Sequence, residues 1–232
     1  MLGDGGLTSS LEAFREALSD LLPAGVEVAV WGVDVHEAEL RPEEEEAVRR
    51  AVPDRRAEFA RGRACARAAL VRLGHAPVAV RAGPEREPMW PDGVVGSITH
   101  ARDRVAAAVA SAPQFGALGI DVEILRPLTA DVRDQVVLPG DRVEAGDAGD
   151  LVVFSAKEAL FKAVYPGSRV WMGFDAVVLR GDAGSRGLLA APSGRAPAAP
   201  GITELSGAYR VTADCVTTGF WRPAGVGRTG IG

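Results

Sequence analysis

Two carboxylates stand two residues apart in Gly119-Ile120-Asp121-Val122-Glu123, just after the apolar Ala117 and Leu118. In a strand, positions i and i+2 leave the same face. Neighbouring negative charges repel and lose hydration together, so a positive partner is expected beside them. A hard divalent cation bound through oxygen is one answer, and Mg2+ is commonly held by one or two carboxylates plus phosphate oxygens. A solvated pair at a strand end is the other reading. A second stretch, Phe154-Ser155-Ala156-Lys157-Glu158-Ala159-Leu160-Phe161-Lys162, carries Glu158 and Lys162 at i and i+4 of an otherwise apolar helix. A third carboxylate and an ammonium suited to phosphate could there meet the Asp121/Glu123 pair.

Arginines form a third concentration of charge. Pro53 can open a helix that runs to about Leu73 and stops at Gly74, with Phe59, Ala66, Leu70 and Leu73 as its apolar stripe. Arg55, Arg56, Arg61, Arg63, Arg67 and Arg72 all lie on it. Spacings of seven and four put Arg56, Arg63 and Arg67 on one face. That face is either solvated or a binding surface for phosphate, whose oxygens a guanidinium fork matches.

The elements that must position these groups follow from the rest of the chain. Its 232 residues are 47% hydrophobic, enough for a large core. A net charge of -5 argues against nucleic acid as a partner. The two cysteines, Cys65 and Cys215, lie in apolar surroundings without metal spacing, which fits a reducing cytoplasm. Three histidines make a histidine-based metal site improbable. No signal peptide is expected, and no apolar run reaches the roughly 18 residues of a membrane span.

Residues 1–8 read as a loose glycine-rich start. Ser9 and Glu12 read as a capping box for a helix with Leu11, Phe14, Leu18 and Leu21 on its apolar face. A strand is expected over 26–33, and the acidic run Glu43–Glu46 as a short solvated helix. Short strands are expected over 78–81, 94–99 and 105–110, with a stiff loop through Pro84, Pro88 and Pro91. The carboxylate strand ends before Arg126-Pro127. A helix follows from about Thr129, and the Glu158 helix runs to Tyr165, where Pro166-Gly167 break it. A strand over 171–179, an irregular loop over 181–201 and strands near 209–212 and 215–220 complete the reading. Each half thus has a long helix followed by strands. The expected fold is α/β (α+β), with two similar, pseudo-twofold lobes, each a long helix on a small, mostly antiparallel sheet. The active site lies in the cleft between them, the lobes span 1–113 and 114–221, and 222–232 form a disordered tail.

In this order the motifs resemble those of the Sfp-type 4'-phosphopantetheinyl transferases, most of all the actinobacterial and enterobactin-associated branch. The matching stretches are Arg55-Arg56-Ala57-Glu58-Phe59 with Arg63, Glu87-Pro88-Met89-Trp90-Pro91-Asp92-Gly93 and Gly96-Ser97-Ile98-Thr99-His100. Further on come Gly119–Glu123, Phe154–Ala159 with Lys162, and Trp171-Met172-Gly173-Phe174. They cover roughly residues 41–180. Ala101 replaces the Cys that many relatives carry after the His, and Arg86 stands near where relatives have a Lys at slightly different spacing.

The resemblance implies coenzyme A and Mg2+ (or Mn2+) as ligands and an apo acyl, aryl or peptidyl carrier protein as acceptor, in polyketide, nonribosomal peptide or siderophore biosynthesis. Composition points to a cytoplasmic protein acting on neither nucleic acid nor membrane, and two fused lobes point to a monomer. By position, Asp121, Glu123 and Glu158, with the Val122 carbonyl, would hold the metal. Arg55, Arg63, Thr99 and His100 would hold the adenosine-side phosphates, and Arg86, Glu87 and Pro88 would line the adenine end. Lys162 would meet the pyrophosphate and Met172 the pantetheine arm. Glu158 would take the proton from the carrier serine, and Lys157 would orient Glu158 or meet the substrate. A non-catalytic coenzyme A-binding protein and a Mg2+-dependent hydrolase are the competing readings.

Overall fold

The computed structural model describes residues 4–225, with side chains from Thr8 onward. Helix α1 (Asp4–Leu21) starts ahead of Ser9, so Ser9 lies inside it and the expected cap and loose start over residues 4–8 are corrected. Its apolar stripe explains the extension. Phe14 and Leu18 are fully buried and hold the helix by packing, which outweighs weak helix propensity at glycine.

A three-stranded antiparallel sheet has the order β1-β5-β4, from β1 (Val26–Val30), β4 (Val94–Ala101) and β5 (Arg104–Ser111). Strand β5 is apolar from Val105 to Ala110 because both its faces are covered. Ala106, Ala108 and Ala110 join the core beneath α1, while Val105, Ala107 and Val109 pack with Cys65, Ala66, Ala69 and Leu70 of α3 (Pro53–Arg72). The short α2 (Pro42–Glu45) precedes α3, and β2 (Arg81–Ala82) pairs with β3 (Pro88–Met89).

The second sheet has six strands in the order β6-β11-β10-β9-β8-β7. They are β6 (Phe115–Ile124), β7 (Arg142–Val143), β8 (Val177–Gly181), β9 (Gly187–Pro192), β10 (Ser206–Val211) and β11 (Cys215–Pro223). All neighbours are antiparallel except β7 and β8. Helix α4 (Ala130–Val136) leads towards α5 (Gly149–Ser168), the long helix of this half. The fold is thus mixed α/β, with helices on mostly antiparallel sheets.

Alternation along β6 decides where its carboxylates go. Leu118, Ile120 and Val122 enter the core shared with α1 and β5, so the odd positions face α5. Gly119 is the point of closest approach: a methyl there would collide with the Ala159 carbonyl and the Ala163 amide. Strands β4 and β6 belong to different sheets and are joined by side chains. The Ile120 amide donates to Ser97 Oγ at 3.1 Å, and the Val122 amide to Thr99 Oγ1 at 3.1 Å. Helix α1 packs on residues of both sheets, so a cut after residue 113 runs through a shared core.

Other expectations need correction. Pro166 lies inside α5, where so near the end it removes little, and the helix closes at Arg169 with φ 55. The strand expected over 171–179 begins only at Val177, after a 3-10 turn at Phe174–Ala176. The loop expected over 181–201 contains β9, in which Leu188 and Ala190 are buried while Leu189 is exposed. Strand β11 continues to Pro223, and the rest of the expected tail, 226–232, lies outside the described residues. Glu44 of the acidic run is fully buried rather than solvated, because Arg67 and two backbone amides converge on it. Among the described residues no helix is long and apolar enough to cross a membrane.

Candidate active site

Asp121 is 4% exposed and meets three donors from two elements. Thr99 of β4 donates to Oδ1 at 3.2 Å, Ser155 of α5 to Oδ2 at 2.8 Å, and Lys162 of α5 to Oδ1 at 2.6 Å. Thr99 itself is buried, so it braces the carboxylate strand; its expected role as a phosphate ligand is corrected. Glu123 lies two residues on, and its carboxyl is pushed up to about 7 by burial and then by the charge of Asp121. Glu158 is also raised, by burial first, with Lys162 opposing and Asp121 reinforcing. The three carboxylates therefore sense one another. As they stand, no three Asp, Glu, His or Cys side chains among the described residues form a ready metal cluster. The Val122 side chain is in the core, which leaves only its carbonyl for a ligand.

Lys157 and Lys162 serve different surroundings although both stand on α5. Lys162 lines a cleft of about 830 Å³ together with Glu158. Lys157 turns away, about 100° round the helix from Glu158. Its ammonium donates to the Val136 carbonyl, Asp141 Oδ2 and the Phe174 carbonyl, each at 2.9 Å. All three N–H groups are thus used inside the fold, and the expectation that Lys157 meets the substrate is corrected.

The opposite wall comes from α3 and β4. Arg63 lines the cleft at 4% exposure, with its guanidinium 4.1 Å from the Phe59 ring centroid. Its Nε and Nη2 have no hydrogen-bond partner. Burial lowers its pKa to about 10, with Glu44 opposing and Arg55 and Arg67 reinforcing, so it stays charged at neutral pH. A buried guanidinium with free donors suits an anion. Its helix-mates are occupied elsewhere: Arg56 pairs with Glu45 at 2.5 Å and Arg67 with Glu44 at 2.8 Å. Arg55 and His100 join Arg63 on the cleft wall.

Arg86, Glu87 and Pro88 also line the cleft. Arg86 has φ 69, and Glu87 forms an ion pair with Arg169, beyond the end of α5. That pair ties the segment between β2 and β3 to the C-terminal end of α5. Burial would raise the Glu87 carboxyl, but hydrogen bonds from Arg169 and nearby backbone hold it below its ordinary value. Phe161, Tyr165 and Trp171 form an aromatic cluster there, with ring centroids 5.1–6.3 Å apart. Trp171 is 70% exposed and lines the cleft, whereas Met172 is buried and its sulfur accepts from the Ala199 amide at 3.1 Å. The expected contact of Met172 with a pantetheine arm is therefore corrected; the turn after α5 directs its neighbour outward instead. Sequence reasoning missed Trp171, Arg169 and Glu58. For Glu58 a signal existed in its i, i+3 spacing from Arg55.

Comparison with known proteins places these features in a family. Residues 43–110 match the model of the 4'-phosphopantetheinyl transferase N-terminal domain, and residues 117–213 match that of the 4'-phosphopantetheinyl transferase superfamily. The 4'-phosphopantetheinyl transferase Npt of Nocardia iowensis is 40% identical over 163 residues, 68% of this chain and 73% of that protein. Svp of Streptomyces mobaraensis is 47% identical over 151 residues, 62% of this chain and 61% of its own. PptT of Mycobacterium tuberculosis is 39% identical over 140 residues, 58% of this chain and 62% of its own. Both are also 4'-phosphopantetheinyl transferases. The chain belongs to the 4'-phosphopantetheinyl transferase superfamily.

Proposed function

We propose that the protein transfers the 4'-phosphopantetheine group of coenzyme A to a serine of an apo acyl, aryl or peptidyl carrier protein, releasing 3',5'-ADP. The observation that carries this reading is the cleft's asymmetry. One wall holds Arg63 with two unpartnered buried donors, and the other holds Glu158 and Lys162. A substrate with a phosphate at one end and a pyrophosphate further along matches that spread of charge.

The serine oxygen forms a bond to the β-phosphorus, and the bond from that phosphorus to the leaving phosphate oxygen breaks. Glu158 accepts the serine proton, directly or through water; its raised proton affinity suits a base. Lys162 moves its point charge between Asp121 and the pyrophosphate oxygens. Arg55, Arg63 and His100 hold the adenosine-side phosphate, and Arg86, Glu87 and Pro88 flank the adenine. Asp121, Glu123 and Glu158, with the Val122 carbonyl, would supply an all-oxygen donor set suited to Mg2+ or Mn2+, and a cation there would relieve the burial and the Asp121 charge that raise Glu123. When bound, the metal supplies charge neutralisation on the pyrophosphate. We further propose the division into an N-terminal unit, 1–113, and a C-terminal unit, 114–221, working as a cytoplasmic monomer.

Incubation with coenzyme A, Mg2+ and a panel of apo carrier proteins tests the reading by intact-protein mass. The expected result is a gain of one phosphopantetheine on a carrier serine. Binding without transfer, or coenzyme A cleaved without acceptor, contradicts it.

A further inference from the structure

Glu58 lines the cleft but has no part in the roles assigned above. It stands one turn beyond Arg55 on α3, and its two oxygens serve different partners. Oε1 lies 2.5 Å from His100 Nδ1, and Oε2 accepts from Arg55 Nη1 at 2.6 Å. The same Nη1 lies 3.1 Å from His100 Nε2. These contacts admit one proton arrangement. A carboxylate only accepts, so Nδ1 carries hydrogen; a guanidinium only donates, so Nε2 offers its lone pair. The ring is fixed from both sides at the end of β4.

We propose that Glu58 is a positioning residue that holds Arg55 and His100 as one anion-receiving unit. Its binding consequence rests on the reading that coenzyme A occupies this cleft. Glu58 itself would repel a phosphate, so its service is to the two groups that meet one. Once a phosphate arrives, Arg55 can pass Nη1 from the ring nitrogen to a phosphate oxygen while Glu58 retains it through the other contact. The exposed Nε2 then meets a phosphate oxygen through a proton taken from solvent or from the phosphate monoanion. Glu58 at Nδ1 balances the charge the ring acquires. The neighbouring Arg55 and Lys162 are both cationic, and beside them Asp121 is the other anion acting on this ring. Without Glu58 the imidazole loses its nearest counter-charge and is free to flip.

Long-range nitrogen–proton NMR of the imidazoles tests this directly, since the chain has only three histidines and His100→Asn assigns the signal. In the parent at neutral pH, His100 is expected as a single tautomer protonated at Nδ1. Glu58→Ala should give a tautomer mixture, and Glu58→Gln, which keeps an acceptor oxygen, should restore the single form. Calorimetric affinity for 3',5'-ADP should fall about tenfold or more in Glu58→Ala and less in Glu58→Gln, with affinity for 5'-AMP unchanged. An unchanged His100 tautomer in Glu58→Ala overturns the proposal. So does an equal loss of affinity for both nucleotides. If the parent binds no 3',5'-ADP, the coenzyme A reading fails instead, and the tautomer result decides the positioning role alone.

Discussion

Arg63 on α3 and Lys157 on α5 are both 4% exposed, yet the protein treats these two buried cations in opposite ways. Burial lowers the proton affinity of each. Lys157 has three acceptors at 2.9 Å, among them Asp141, whose carboxylate also takes the Leu138 and Leu179 amides at 2.7 Å. That knot ties the end of α4, the middle of α5 and the middle of β8 together. Arg63 has an aromatic ring on one side and two nitrogens, Nε and Nη2, without partners. The difference teaches how to tell structural charge from ligand-directed charge. A buried cation whose donors are all used is part of the scaffold; one with donors left over, on a cleft wall, is held ready for an anion.

The sharpest way to break this comparison is to remove each cation in turn. Lys157→Met leaves Asp141 buried without its counter-charge and should destabilise the fold by about 3–5 kcal/mol in denaturant titrations. Arg63→Met should leave stability unchanged or raise it, because a poorly hydrated charge with unused donors is removed. Equal losses in the two variants would erase the distinction.

A smaller effect sharpens it with an acid outside the cleft. Asp34 accepts from Arg72 at 2.5 Å, from Arg15 at 3.1 Å and from the Val30 amide at 2.8 Å. Burial alone would raise its carboxyl, but these donors prevail and hold it below its ordinary value. A depressed acid stabilises the fold above its unfolded pKa of about 4, and that stability is lost as pH falls through the folded value. Asp34→Asn should therefore lower stability at neutral pH and flatten the acid limb of a pH–stability profile. An acid limb as steep as the parent's would show that this clamp is not linked to protons.

How much of this was legible in the sequence depends on the range of the interaction. Period two placed Asp121 and Glu123 on one face of β6, and i, i+4 spacing placed Glu158 and Lys162 together on α5. Both are local rules, and both pairs lie where expected. Arg63 could not be separated from Arg56 and Arg67 by spacing, because what distinguishes them is the docking of α2 against α3. No local rule reveals the role of Lys157, because its partner Asp141 lies 16 residues away, before β7 and the start of α5. Trp171 rather than Met172 faces the cleft, because residues 170–173 form no strand and β8 begins only at Val177. Strand β9 was hidden by its glycine, alanine and proline neighbours, and only its pairing with β8 and β10 defines it.

On the proposed reading, Arg63 is reserved for the adenosine-side phosphate of coenzyme A. The most direct measurement is the transfer rate to an apo carrier with coenzyme A and with dephospho-coenzyme A, for the parent and for Arg63→Ala. The parent should use coenzyme A at a lower KM than the dephosphorylated form. Arg63→Ala should raise the KM for coenzyme A about ten- to hundredfold and leave dephospho-coenzyme A unaffected, so the preference shrinks to what Arg55 and His100 still supply. A variant that keeps the parent's preference, or loses both substrates equally, would contradict the account.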